Sequence, residues 1–269
     1  YNEINSSNSY EVASSLTRGR QILSKVPEVT IFFWIIKIMA TTVGETAADF
    51  LTFNLNFGLT LTTIIMSSFL LIALFFQFKS RKYVPGIYWL AVVMISIVGI
   101  LITDNLVDNY GVALETTTII FTFALVVTFA VWYSSEKTLS IHSIYTTKRE
   151  TFYWLAILFT FALGTAAGDL TSEGFNMGYW KSAFMFATLI GIVAIAYYRF
   201  NLNSVAAFWM AYILTRPLGA SIGDYLSQPL SAGGLALNDM GISAIFLVTI
   251  LGLVVYLTKT KKDESSIVE

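Results

Sequence analysis

Apolar residues are concentrated in eight stretches of about twenty residues, separated by short polar segments. A helix needs about 20 apolar residues to cross the ~30 Å hydrocarbon core of a bilayer. The pattern therefore predicts eight transmembrane helices and an all-α, polytopic membrane fold. The predicted spans are residues 31–52, 59–78, 86–106, 113–133, 152–170, 180–198, 204–226 and 240–258.

The composition supports a membrane protein and excludes several kinds of site. Of the 269 residues, 56% are hydrophobic and 12% are charged, with a mean hydropathy of +0.70, whereas soluble domains carry about 25% charged residues. The chain has no cysteine and a single histidine, His142. Disulfides, thiolate metal sites, and haem or zinc sites built on several histidines are therefore excluded. We expect no bound cofactor, and the net charge of −1 gives no reason to expect a nucleic-acid partner.

Lysine and arginine lie mostly on one side of the predicted spans. They occupy the two terminal segments and alternate loops, whereas the opposite loops hold Lys181 and several acidic residues. Because loops rich in basic residues stay in the cytoplasm, both termini are predicted to be cytoplasmic. The polar N-terminal residues have no basic segment leading to a cleavage site, so we expect no signal peptide. The predicted organisation is a cytoplasmic tail at 1–27, a first half at 28–133, a cytoplasmic linker at 134–151, a second half at 152–258 and a cytoplasmic tail at 259–269.

One pattern, Trp-x9-Gly-x4-Asp, occurs four times, and an aromatic residue precedes each tryptophan. The copies are Trp34–Gly44–Asp49, Trp89–Gly99–Asp104, Trp154–Gly164–Asp169 and Trp209–Gly219–Asp224. We expect the tryptophans at the cytoplasmic interface and the glycines where helices approach closely. Because each repeat contains two spans, all four repeats have the same orientation. The predicted fold is four parallel two-helix repeats around a pseudo-symmetric axis.

Polar residues follow one face of the odd-numbered spans, in steps of four that begin three positions after each tryptophan. In the first span this face carries Lys37, Thr41, Glu45 and Asp49, and the other three faces end on Asp104, Asp169 and Asp224. Ionisable groups inside a membrane are costly and normally face protein or a water-filled cavity. The candidate cation-binding residues are therefore Thr41, Glu45, Asp49, Asp104, Asp169 and Asp224. Glu45 and Asp49 lie one turn apart and could bind one metal ion together.

Two basic residues, Lys37 and Arg216, lie inside predicted spans and are candidate counter-charges or gating residues. Arg216 is about one turn from the level of Glu45, so we expect an Arg216–Glu45 pair. Lys37 is close to its tryptophan, and we expect its ammonium group to snorkel to the cytoplasmic interface. An alternative role for the repeated aspartates is to cap the hairpin loops by accepting hydrogen bonds from loop amides.

Three segments resemble a bacterial family of uncharacterised membrane-anchored proteins built from a four-times-repeated domain of unknown function. They are Lys37-x3-Thr41-Thr42-x-Gly44-Glu45-x3-Asp49, the Leu-Ser-Ile-His-Ser-Ile sequence at 139–144 and the Thr-Arg-Pro-Leu-Gly-Ala-Ser sequence at 215–221. The resemblance covers residues 26–258 and implies a multi-pass protein of a bacterial inner (plasma) membrane. It implies no activity.

The aligned carboxylates lead us to expect a membrane cation transporter, most simply for a divalent metal such as manganese, with proton coupling as a further option. Two alternatives remain open: a cation channel with a ring of four aspartates, and a non-transport membrane scaffold or small-molecule receptor. No activated nucleophile or phosphate-binding loop is present, so we do not expect an enzyme. The expected partners are the lipid bilayer and a small cation, and the sequence leaves open whether the chain forms a homo-oligomer.

Overall fold

The computed structural model describes residues 24–264, which form eight long α-helices. Residues 1–23 and 265–269, which include most of the two predicted tails, lie outside the described residues. All eight helices are long and apolar enough to cross a membrane, as the sequence predicts. The helices are α1 Ile31–Asp49, α2 Gly58–Lys79, α3 Pro85–Asp104, α4 Leu114–Glu136, α5 Thr147–Asp169, α6 Tyr179–Phe200, α7 Ser204–Ser227 and α8 Asp239–Thr260.

The four odd-numbered helices form a closed inner ring. Helix α1 packs on α3, α3 on α5, α5 on α7, and α7 again on α1. Between 61% and 72% of the apolar windows of these helices is buried, compared with 17% to 28% for the even-numbered helices. The even-numbered helices therefore form the outer layer, as their uniformly apolar sequences predict.

The repeated glycines bring neighbouring inner helices together. A Cβ added at Gly44, Gly99, Gly164 or Gly219 would fall within 3.0 Å of a side chain on the next inner helix. The contacted residue always lies seven positions after the tryptophan of its own repeat: the four are Ser96, Phe161, Arg216 and Thr41, in that order. The same contact is thus made four times around the ring. This confirms the packing role predicted for the glycines.

The outer helices connect successive repeats. Helix α2 packs mainly on α3, α4 on α5, α6 on α7 and α8 on α1. Each outer helix therefore lies against the inner helix of the following repeat, and α8 of the last repeat closes on α1 of the first. The four repeats interlock around one axis and are not four separate hairpins.

The polypeptide turns in a similar way after the first three aspartates of the repeat. A π-helical turn follows directly, at Phe50–Asn54, Asn105–Asn109 and Leu170–Gly174. Asn56 and Asn176 then take positive φ angles of 55° and 53°, and Gly58 and Gly178 of 72° and 78°. Asparagine and glycine tolerate this left-handed region, which explains their recurrence 120 residues apart. In the fourth repeat, α7 continues to Ser227 and a longer loop leads to α8.

The two ends of the bundle differ. The first described residues, the 134–151 linker and the chain after α8 all meet at the end that carries the tryptophans, which we call the linker end. Here the amide of Lys25 donates to the carbonyl of Ile144 (2.9 Å), and the amide of Glu28 donates to the carbonyl of Asp263 (2.9 Å). The opposite end, where the repeated aspartates lie, is called the aspartate end.

Buried polar contacts fix the linker end. Lys25 Nζ lies 2.6 Å from a carboxylate oxygen of Glu150, and Gln77 donates to the other oxygen of that carboxylate (3.1 Å). Tyr83 donates its hydroxyl to Asp263 (2.6 Å), and burial raises the pKa of both groups. The terminal segments and the linker are therefore held against the helices.

Candidate functional site

The interior of the ring consists of four layers, each with one residue from every inner helix. Counting from the tryptophan, the layers hold the residues at positions three, seven, eleven and fifteen. From the linker end they are Lys37, Val92, Ile157 and Tyr212; then Thr41, Ser96, Phe161 and Arg216; then Glu45, Ile100, Thr165 and Ala220; then Asp49, Asp104, Asp169 and Asp224. Every side chain of the first three layers is buried, with exposures of 0% to 6%. The polar stripes predicted from the sequence therefore do face the axis.

The fourth layer, which we call the aspartate layer, is the more open part of the site. Asp49, Asp104 and Asp169 are half-buried, whereas Asp224 is buried. The carboxylates of Asp104, Asp169 and Asp224 all lie close enough to Asp49 and to Glu45 for electrostatic repulsion. The structure thus brings all five predicted acidic residues into one region.

Asp104, Asp169 and Asp224 do not serve as caps of the turns that follow them. Asp104 and Asp169 precede π-helical turns, and the side chain of neither makes a capping hydrogen bond. Within residues 24–264, the carboxylates of Asp104, Asp169 and Asp224 accept no hydrogen bond and form no ion pair. Loop capping therefore does not explain the repeat of these three residues.

Glu45 and Arg216 form the predicted ion pair. Nη2 of Arg216 lies 3.1 Å from Oε2 of Glu45 and donates to the hydroxyl of Thr165 at 2.7 Å. The same guanidinium reaches the carbonyl of Thr41 at 3.5 Å. Its side chain is fully buried and that of Glu45 is 8% exposed. Helices α1, α5 and α7 are therefore joined through one buried charge pair.

Lys37 is buried, so the expectation that it snorkels to the interface is wrong. Its Nζ lies 4.0 Å from the ring centroid of Phe161 and 4.3 Å from that of Tyr212, and 3.5 Å from the hydroxyl of Thr41. These rings come from α5 and α7 and stabilise the ammonium group by cation–π attraction. Lys37 therefore points along the axis. No spacing within α1 predicts this, because its partners belong to other repeats.

Thr41, a predicted cation ligand, uses both its hydroxyl and its methyl group in contacts within the protein. Its hydroxyl donates to the carbonyl of Lys37 at 2.9 Å, one turn back in the same helix. Its methyl group faces Gly219 across the α1–α7 contact. The hydroxyl oxygen still has an accepting lone pair, which points to the neighbourhood of the Lys37 ammonium group.

An aromatic cluster fills the axis between the Lys37 layer and the linker end. Trp89, Trp154 and Trp209 are only 2%, 3% and 5% exposed, so their rings pack inside the bundle at the linker end and not against its outer surface. The hydroxyls of Tyr88 and Tyr153 share a hydrogen bond of 2.6 Å at its centre. The aromatic residue before each tryptophan was the sequence signal for this cluster. The cluster closes the axis at the linker end.

Comparison with known proteins identifies the repeat. Residues 32–83, 87–138, 152–203 and 207–263 each match the family described as Repeat of Unknown Function (DUF347). The chain belongs to the DUF347 family. Nothing matches among curated proteins, and nothing matches among solved structures.

Each DUF347 repeat corresponds to one inner and one outer helix, and the repeats differ in what they bring to the axis. The aspartate is common to all four, whereas Lys37 and Glu45 come from the first repeat and Arg216 from the fourth. The site therefore combines a symmetric aspartate layer with an asymmetric charged cluster on α1 and α7.

The DUF347 site contains no preassembled metal site. Within residues 24–264, no group of three or more His, Cys, Asp or Glu side chains lies close enough to hold a metal ion. The oxygen donors of the aspartate layer are of the type that hard cations prefer. A bound cation would keep part of its hydration shell or would require the layer to contract.

Proposed function

We propose that this DUF347 protein is a membrane cation transporter whose aspartate layer binds the transported ion. The observation that carries the proposal is the charge balance along the axis. The four layers hold five carboxylates and two basic side chains. Uncompensated carboxylates at membrane depth cost several kcal/mol, and they are relieved by binding cations or protons.

Unsatisfied polar atoms beside the charged cluster support the same proposal. The Ser96 hydroxyl, the Tyr212 hydroxyl and Nε of Arg216 are buried and have no hydrogen-bond partner among the described residues. Buried polar atoms without partners are unfavourable. Water or an ion entering from the aspartate layer would supply partners to them.

The packed axis favours a carrier over the alternative of an aspartate-ring channel. Below the aspartates, three buried layers and the aromatic cluster leave no continuous path to the linker end. Transport would therefore require a conformational change of the bundle. The Glu45–Arg216 ion pair joins α1 to α7, so its separation would allow these two helices to move apart. A cation that neutralises Glu45 would weaken its attraction to Arg216 and loosen the contact between α1 and α7.

The donor chemistry of the layer indicates the class of ion, and the basic loops indicate the orientation in the membrane. Carboxylate oxygens suit Mn²⁺, Mg²⁺ and Ca²⁺, and we take Mn²⁺ as the first candidate. The basic loops at the linker end favour a cytoplasmic location for that end and for both termini, in a bacterial inner membrane. The aspartate layer would then face outward.

The test is ion flux into proteoliposomes for Mn²⁺, Mg²⁺, Ca²⁺, K⁺ and H⁺. We expect selective flux by the native protein and its loss in the Glu45→Gln/Asp49→Asn double variant. Glu115→Gln is the matched control, because Glu115 is an exposed acid near the start of α4. Equal flux through folded native and double-variant protein would contradict the proposal. No flux of any of these ions would favour the scaffold or small-molecule receptor.

A further inference from the structure

A cavity of about 500 Å³ lies between α1, α6 and α7 beneath the linker. Its walls include Trp34 and Ile38 from α1, Ile190 from α6, and Phe208 and Ala211 from α7. It lies outside the inner ring and shares no residue with the aspartate layer. The volume is in the range of sites that bind small organic molecules.

The cavity exists because one outer helix does not fill the space that its counterparts fill. Equivalent positions of the four outer helices carry Gln77, Trp132, Tyr197 and Leu257, allowing for the longer loop of the fourth repeat. Three of these side chains are 0% to 1% exposed, whereas Tyr197 is 40% exposed. Trp132, for example, packs on Trp209 with ring centroids 5.9 Å apart. At the α7–α1 contact, Tyr197 lines the cavity without filling it.

The cavity is polar at one end and apolar along its length. Glu28, Ser140 and His142 line it at the linker end, and Nδ1 of His142 lies 3.4 Å from a carboxylate oxygen of Glu28. The Glu28 carboxylate accepts a hydrogen bond from His142, which raises the pKa of His142 and favours the imidazolium. On α7 the lining extends from Ser204 to Thr215, about 16 Å along the helix axis. The hydroxyl of Thr215 donates to the carbonyl of Tyr212 (2.8 Å), so the deep end offers no free donor.

We propose that this cavity binds one acyl chain of a membrane lipid, with the lipid head group beside His142. The lining residues extend along the membrane-spanning helices α6 and α7, the direction that lipid chains follow in a bilayer. Helix α6, which forms one wall, is the least buried of the eight, at 17% of its window, and therefore borders the bilayer. The inference is independent of the proposed transport function.

The test is retention of lipid by the full-length protein after delipidation in detergent, measured by native mass spectrometry. The probes are palmitoyl-oleoyl phosphatidylglycerol and free oleic acid, which distinguish a phospholipid from a free fatty acid. We expect one retained phospholipid in the native protein and loss of it in Ala211→Phe, whose ring would fill the cavity. Ala187→Phe is the control, because Ala187 is exposed on α6 and does not line the cavity.

A second measurement keeps the test decisive if Ala211→Phe does not fold. Phospholipids with brominated acyl chains should quench the fluorescence of Trp34, seen as the difference between native protein and Trp34→Phe. Retention that is equal in Ala211→Phe and native protein, or an unquenched Trp34, would overturn the proposal. Retention of oleic acid alone would overturn the phospholipid assignment.

Discussion

Glu45 and Arg216 lie opposite each other inside a helix ring, where neither charge is well solvated. A pair of this kind contributes little net stability, but removal of one partner leaves the other charge buried and uncompensated. The two residues are not equivalent here. Glu45 also lies in the repulsive field of the aspartates, so it depends on Arg216 more than Arg216 depends on it. Thr165 gives Arg216 a second acceptor at 2.7 Å.

Replacement of Arg216 by glutamine should therefore be more harmful than replacement of Glu45 by glutamine. We expect Arg216→Gln to lower the free energy of unfolding by about 3–5 kcal/mol, and Glu45→Gln by less. The double variant should lose less than the sum of the two, because neither member of the pair is left charged without the other. The free energies of unfolding would be measured in mixed micelles with increasing SDS, with Glu115→Gln as the control. Additive losses would show that the two side chains are not coupled.

The inner helices depend on close contacts at the repeated glycines. At Gly164 the neighbours are the side chains of Arg216 and Pro217, so this contact supports the charged cluster directly. A methyl group there would push α7 away from α5 and displace the guanidinium from Glu45. Gly164 therefore influences the Glu45–Arg216 pair through the packing of α5 against α7.

Replacement of Gly164 by alanine should destabilise the protein by about 1–3 kcal/mol through overpacking. It should also reduce ion flux, since the position of Arg216 changes. The matched control is Gly191→Ala on α6, where a Cβ meets nothing within 4 Å and alanine is the better helix former. Thermal unfolding in detergent and flux would be measured on both variants. Equal stability of the two would contradict the packing argument.

The sequence predicts contacts that repeat and misses contacts that occur once. The eight helices follow from the apolar stretches and the outer layer from the uniformly apolar even-numbered spans, whereas the inner ring and its polar axis follow from the constant spacing of Trp, Gly and Asp. The burial of Lys37 depends on Phe161 and Tyr212, whose counterparts at the same levels in the other repeats are not aromatic. The cavity depends on Tyr197, which lines it and stays 40% exposed where the equivalent Trp132 is fully buried. Such differences arise from packing between distant segments, which a repeat pattern does not encode.

At the scale of the whole molecule, the same helix contacts continue around the whole ring, including the junction between the last and first repeats. Helix α8 packs on α1 as α2 packs on α3, and the segments before α1 and after α8 meet through the Glu28–Asp263 backbone hydrogen bond of 2.9 Å. The junction between the last and first repeats is therefore spatially equivalent to the junctions within the chain. The order of the repeats along the chain should matter less than their cyclic order around the axis.

A circular permutant should therefore fold. We expect a chain opened between Asn201 and Leu202, with residue 269 joined to residue 1, to insert and to retain most of the stability of the unpermuted chain. This cut leaves Asn203 with α7, where its side chain accepts hydrogen bonds from the amides of Val205 (3.0 Å) and Ala206 (3.2 Å). It also leaves an even number of spans on either side, so the orientation of every helix is preserved.

A second permutant, opened in the loop between Tyr110 and Ala113, is the matched control. Its new ends would lie at the aspartate end, and its first span would have to insert in the opposite direction, against the basic loops. We expect it to insert poorly, as measured by membrane yield and by thermal unfolding of the purified protein. If both permutants fail equally, the closing contact of α8 on α1 does not substitute for chain connectivity, and the repeats must assemble in their order along the chain.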